Sequence, residues 1–182
     1  MKNDKRINYH DYMEYKADFP KKGVIFWDFT RLLTTPSAFR QAIADIKYHF
    51  NVKSITKVAA VESKGFVLGS ALAYEMSLPL CLVRKPNLTP GDILSRTFEK
   101  EYGFGEYNIK KDAFTKEDKV VLIYDILAGP GATQAAIQLI EETGAEVAGC
   151  GYVIELQYLN GREQLLGYDL FSLVKVQEKK IK

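Results

Sequence analysis

Residues 120–133 read V-V-L-I-Y-D-I-L-A-G-P-G-A-T. The four apolar residues Val120, Val121, Leu122 and Ile123 suit a strand covered on both faces of a parallel sheet. Asp125 follows at the carboxyl end of that strand. Gly129 and Gly131 let the backbone curl so that several N–H groups converge, and Thr133 is placed to open the next helix as its cap. An anion held in such a loop also faces a helix N-terminus.

Working outward, residues 57–62 read as a buried strand, 65–76 as a helix rich in small residues, and 80–84 as another strand. On the far side, 132–143 is helical and stopped by Gly144, a position glycine favours. Strands follow over 146–156 and 168–176. Towards the start, Phe39, Ile43, Ile46 and Phe50 recur at helical spacing behind Pro36, which a first turn tolerates. Residues 24–27 suit a short strand and 9–16 a short helix, with D-F-P-K-K-G as turn chemistry between them. This alternation predicts an α/β fold, a parallel sheet flanked by helices with right-handed crossovers. Ligands in such folds gather outside the carboxyl ends of the strands. The segments E-S-K-G (62–65), R-K-P-N-L-T-P-G (84–91) and Y-D-I-L-A-G-P-G-A-T (124–133) belong there. Residues 86–105, rich in Gly, Pro and polar side chains, suit a mobile lid or hairpin over that edge.

A chain of 182 residues is one ordinary domain, and no repeat or linker divides it. Its 25 basic and 23 acidic residues are interspersed and leave a net charge of +2, so charge gives no case for nucleic acid or a membrane surface. Cys81 and Cys150 sit in apolar runs and read as buried free thiols of a reducing compartment. The start lacks an apolar signal core, and no run approaches the roughly 20 apolar residues of a membrane span. The expected location is the cytoplasm. His10 and His49 have no metal-ligand spacing and read as surface or packing residues.

Several blocks then fall in a recognisable order: D-F-P-K-K-G-V-I-F-W-D-F, A-V-E-S-K-G-F-V-L-G, V-R-K followed by P-G, E-Y-G, the phosphate loop, and V-I-E-L with N-G-R-E. Together, across residues 19–166, they resemble adenine phosphoribosyltransferase. The resemblance implies a type I phosphoribosyltransferase fold with a parallel sheet core, a small hood mainly from residues 1–35, a flexible lid over 86–105, and a homodimer. It implies transfer of ribose 5-phosphate from phosphoribosyl pyrophosphate to adenine, giving AMP and pyrophosphate in purine salvage. Magnesium is implied as a cofactor carried by the ligand's phosphates and hydroxyls, with no direct metal-ligating residue.

The resemblance also implies roles. The family ends its third strand with two acids that hold the ribose hydroxyls, here matched to Asp125 and Ile126, and wraps the 5-phosphate in a loop written A-T-G-G-T. That loop is matched to Gly129, Pro130, Gly131, Ala132 and Thr133. Ser63, Lys64, Arg84 and Lys85 match the pyrophosphate side, with lysine at 64 where arginine is usual. Ile25, Phe26 and Trp27 match the adenine pocket, tryptophan standing where the family has arginine. Glu101 matches the carboxylate that manages a purine proton. Ile126 accepts no hydrogen bond, Pro130 offers no N–H, and Lys64 lacks the planar fork of arginine. The expectation is therefore an enzyme of reduced or altered activity. The alternatives are a noncatalytic homologue that binds AMP as a regulatory or assembly subunit beside an active paralogue, and transfer to a different base.

Overall fold

The structure, a computed structural model, describes residues 7–99 and 103–178. A 3-10 turn over Tyr9–Tyr12 leads into strand β1 (Glu14–Ala17), which pairs antiparallel with β2 (Ile25–Asp28). The helix expected over 9–16 therefore stops at Tyr12. Met13 is extended, with φ −100° and ψ 131°, and the following residues find backbone partners across the D-F-P-K-K-G turn. Helix α1 (Thr30–Leu33) joins this hood to α2 (Pro36–Phe50), which opens on Pro36 and buries Ala38, Ala42, Ile43, Ile46 and Phe50. Phe39, on the predicted stripe, is only half-buried.

The core then alternates as the apolar runs require: β3 (Lys57–Val61), α3 (Lys64–Met76) and β4 (Leu80–Val83). A hairpin follows, β5 (Ile93–Glu99) with β6 (Phe104–Lys110). Strand β7 (Lys119–Leu127), helix α4 (Gly131–Glu142), β8 (Glu146–Leu156) and β9 (Leu170–Val176) complete the described chain. The main sheet is five-stranded and parallel, in the order β4-β3-β7-β8-β9. On one face Ile46, Phe50, Leu68 and Leu72 pack against Val58, Val121 and Ile123. On the other, Ala136, Leu139 and Ile140 pack against Ala59 and Leu122. Each fully buried aliphatic side chain contributes on the order of 1.5–3 kcal/mol to holding helices on sheet.

Two close approaches fix the site's frame. A Cβ on Gly65 would stand 2.9 Å from the carbonyl oxygen of Ile123, so α3 begins directly against β7 just before Asp125. At the other end of α4, Gly144 takes φ +92° and ends the helix as expected.

Residues 86–105 are not a plain loop. Ile93–Glu99 alternates exposed and half-buried side chains, which lets β5 lay one face on α4 while β6 covers its edge. Arg96 anchors it, donating to Glu142 Oε2 at 2.7 Å and to Gln138 Oε1 at 3.3 Å. Phe98 packs against Tyr107 with ring centroids 4.7 Å apart, and Arg84 exchanges backbone hydrogen bonds with Asn108 at 2.9 and 2.8 Å. Lys100, Glu101 and Tyr102 lie outside the described residues.

Candidate active site

Three cavities open at the carboxyl ends of the central strands. The first, about 440 Å³, lies between hood and sheet and is walled by Ile25, Phe26, Ser63, Lys64, Asp125 and Tyr158, among others. The second lies against the hairpin, with Glu62, Ser63, Lys85, Tyr107 and Asp125 in its walls. The third covers the start of α4, from Gly129 to Ala132, beneath Phe98 and Glu99. Asp125 borders the first two, and Tyr124 borders all three.

In the hood, strand alternation separates two residues that were matched to one pocket. Phe26 is 38% exposed on the cavity side, with the edge of Phe19 against it at 5.3 Å. Trp27 is 5% exposed; it packs in the core beneath, its ring 5.4 Å from Tyr15, and reaches the cavity only as part of its wall. Its buried indole N–H has no hydrogen-bond partner. Lys64 also belongs to this side. Its ammonium sits 5.1 Å from the Phe26 ring centre and 5.0 Å from that of Phe29, and 3.4 Å from Asp28 Oδ1. Burial pushes the Asp28 carboxyl up, but hydrogen bonds from Thr30 and the charge of Lys64 outweigh it and hold it below the ordinary range.

Asp125 is the acid between the hood-side and the hairpin-side cavities. Burial pushes its carboxyl above the ordinary carboxylate range, against the Ile126 N–H that it accepts at 3.0 Å and the charges of Lys64 and Lys85. Beside it, Tyr124 places its hydroxyl 2.7 Å from that of Tyr107.

Helix α4 starts at Gly131 with Pro130 as its cap residue, so Thr133 is not the cap. Thr133 is 1% exposed inside the first turn, its hydroxyl accepting from Tyr152 at 3.2 Å. A buried hydroxyl so engaged cannot reach an anion, although its backbone N–H belongs to the helix's free first turn. Ile126 is half-buried against the α2 and α3 side of the core and also lines the first and third cavities.

The residues matched to pyrophosphate divide. Ser63, joined to Glu62 by a cis peptide, and Lys85 line the hairpin-side cavity. The Lys85 N–H donates to Glu62 Oε2 at 2.9 Å, which fixes the loop after β4 onto the loop after β3. Arg84 turns to its own loop, donating to the Leu88 carbonyl at 2.7 Å, with its buried Nε unpartnered and 3.9 Å from Glu62. Lys64 stands apart from these on the base side, as described.

No protein-family model matches the chain. Individual relatives do. An adenine phosphoribosyltransferase of Koribacter versatilis is 39% identical over 163 residues, 90% of each chain. One of Solidesulfovibrio magneticus is 41% identical over 159 residues, covering 87% of this chain and 93% of the relative.

The chain belongs to the adenine phosphoribosyltransferase family.

Solved structures agree on the fold. The adenine phosphoribosyltransferase of Thermoanaerobacter pseudethanolicus superposes with a TM-score of 0.89 at 36% identity, covering 92% of this chain and 98% of that one. The Giardia lamblia enzyme, complexed with 9-deazaadenine, gives 0.87 at 31% identity over 93% and 97%. The type I phosphoribosyltransferase fold read from the sequence is thus the fold of this chain.

Sequence reasoning passed over Tyr124 and Tyr107. A tyrosine in an apolar run reads as strand packing, and Tyr107 lies 17 residues away on the hairpin. Only the cavity walls bring out Tyr124. Among the described residues no group of three or more His, Cys, Asp or Glu could hold a metal ion. A carboxylate such as Asp125 suits a hard cation that takes most of its oxygens from a bound phosphate ligand. No described helix is long and apolar enough to cross a membrane.

Proposed function

We propose that this chain transfers the 5-phosphoribosyl group of phosphoribosyl pyrophosphate to adenine, releasing pyrophosphate and forming AMP in purine salvage. The reading rests on one observation: an aromatic-walled cavity, a cavity beside Lys85 and a cavity over a helix N-terminus meet at Tyr124 and Asp125. Base, leaving group and 5-phosphate need such a three-way junction, with the ribose at its centre. The naming of the relatives and the 9-deazaadenine complex support adenine as the base.

Bond breaking at the anomeric carbon builds positive charge on the ribose while negative charge leaves with pyrophosphate, as in glycosyl transfer generally. Phe26 offers a face for the purine and the Ile25 backbone an edge partner. Asp125 accepts from a ribose hydroxyl and, once ionised, favours the growing positive charge. The N–H groups of Gly131, Ala132 and Thr133 and the helix dipole favour the 5-phosphate; Gly129 shapes the turn, and Pro130 contributes no donor. Lys85 and Ser63 receive the leaving pyrophosphate, with Lys64 and Arg84 as more distant positive charge. Glu101 handles the purine proton. Asp125 would help hold a magnesium ion carried in by the phosphate ligand, and the ion would supply neutralisation of the leaving group's charge.

We read the chain further as a cytoplasmic homodimer. Tyr48, Val52 and Tyr74 are 84–88% exposed, on elements tied together by Lys47 and Glu75, and such clustered apolar surface suits a subunit contact. Sedimentation at micromolar concentration tests this, a monomer overturning it.

The activity itself is tested by incubating the purified chain with adenine, phosphoribosyl pyrophosphate and magnesium, alongside hypoxanthine and guanine. AMP formation in excess of the other nucleotides is expected. Absence of any nucleotide product from folded protein overturns the reading.

A further inference from the structure

Tyr124 is the one described residue that lines all three cavities of the junction. It stands near the carboxyl end of β7, beside Asp125, where the ribose of the proposed substrates would lie. Its hydroxyl is 2.7 Å from that of Tyr107, which is 4% exposed on β6. Each phenol has one proton and two lone pairs. If Tyr107 donates, Tyr124 keeps its own O–H for a ligand. If Tyr124 donates, its oxygen keeps a lone pair for a ligand hydroxyl.

We propose that Tyr124 is a ribose-recognising residue, which reads a ribose hydroxyl beside Asp125 while Tyr107 holds its phenol in place. This rests on the phosphoribosyl-transfer reading of the junction. Burial pushes both phenols above the ordinary tyrosine range, so the pair stays neutral at working pH. Tyr124 therefore supplies direction without charge. The site reads ribose with one phenol and one carboxylate, and the carboxylate of Asp125 brings negative charge to the sugar.

Tyr107 lies on the hairpin and Tyr124 on the central sheet. The hydroxyl pair thus links the covering hairpin to the ribose position. Tyr107 acts through Tyr124 and is a positioning residue.

Calorimetry with AMP, 2′-deoxy-AMP and 3′-deoxy-AMP tests the proposal on the full chain. The unmodified protein is expected to favour AMP over at least one deoxy analogue. In Tyr124→Phe, which keeps the ring, that preference should shrink by roughly three- to tenfold, the worth of one neutral hydrogen bond. Tyr107→Phe should shrink it partly, and raise KM for phosphoribosyl pyrophosphate more than KM for adenine. An unchanged AMP to deoxy-AMP ratio in Tyr124→Phe overturns the proposal. Failure of the unmodified protein to bind AMP or turn over adenine defeats the underlying reading instead, so the two failures are distinct. A matching thermal unfolding midpoint for both phenylalanine variants excludes a fold effect, and if Tyr124→Phe unfolds, Tyr124→Met, which keeps apolar bulk without a hydrogen-bonding hydroxyl, provides the second variant with the same expected loss.

Discussion

A Cβ on Gly131 would stand 2.9 Å from the carbonyl oxygen of Glu99. The hairpin strand β5 therefore lies directly on the first residue of helix α4, above the loop proposed to hold the 5-phosphate. Gly131→Ala must move either the hairpin or the loop. Displacements near 1 Å in such sites can cost about a hundredfold. The expected outcome is at least roughly a fivefold loss of AMP affinity, with adenine affinity nearly unchanged, measured by calorimetry with each ligand.

Phe26 and Trp27 are neighbours with opposite duties. Phe26→Ala should raise KM for adenine by roughly tenfold, the loss of one aromatic stacking partner, with little change in unfolding free energy. Trp27→Ala should cost about 3–5 kcal/mol of stability, as large-to-small changes at buried aromatics do. Steady-state kinetics and urea unfolding of both variants check the contrast.

Asp125 links pH to folding and binding. Because burial raises its carboxyl, the folded protein keeps a proton in a window above the ordinary carboxylate range where the unfolded chain has lost it. Its contribution to stability is full below the unfolded value and fades as pH rises through the folded one. Asp125→Asn should remove that slope. Urea unfolding from the ordinary carboxylate range up to neutrality checks it. Binding of phosphoribosyl pyrophosphate with magnesium should also release a proton there, read from the buffer dependence of the binding enthalpy and lost in the asparagine variant.

Arg162 grips the buried Glu155 with Nε and Nη2, each at 2.7 Å, while Ser172 donates to the same carboxylate at 2.8 Å. Burial alone would raise Glu155, but these bonds hold it below its ordinary range. Its stabilisation is present above the unfolded value and is lost as pH falls through the folded one. The adjacent Gly161 backs onto Ala128, where a Cβ would collide with the carbonyl oxygen and stand 3.2 Å from the carbonyl carbon. The ion pair therefore fastens the N-G-R-E segment beneath the phosphate loop. Arg162→Ala should cost about 3 kcal/mol at neutral pH, the lower end for stranding a buried charge, since the arginine itself is partly exposed. Chemical denaturation at neutral pH measures it.

The parallel sheet was legible because its strands are buried on both faces and so run apolar: 146–156 was read with the same ends that β8 has. Strand β1 was not, since E-Y-K-A is largely exposed and carries no core pattern. Strand β5 hid inside a Gly- and Pro-rich segment, its alternation visible only once α4 gave it a face to cover. At the site, Asp125, Phe26, Ser63 and Lys85 border the cavities. Thr133 was misread because threonine at a helix start looks like a cap, whereas Pro130 begins the turn three residues earlier. Tyr124 is hidden in the sequence because a tyrosine in an apolar run reads as strand packing, and its partner Tyr107 lies 17 residues away on the hairpin.

A crystal structure of the full chain with AMP bound tests the junction most directly. The purine should lie on Phe26, the ribose hydroxyls within hydrogen-bond reach of Asp125 and Tyr124, and the phosphate on the backbone of Gly129 to Thr133. AMP bound elsewhere, or with its ribose out of reach of both Tyr124 and Asp125, would contradict it.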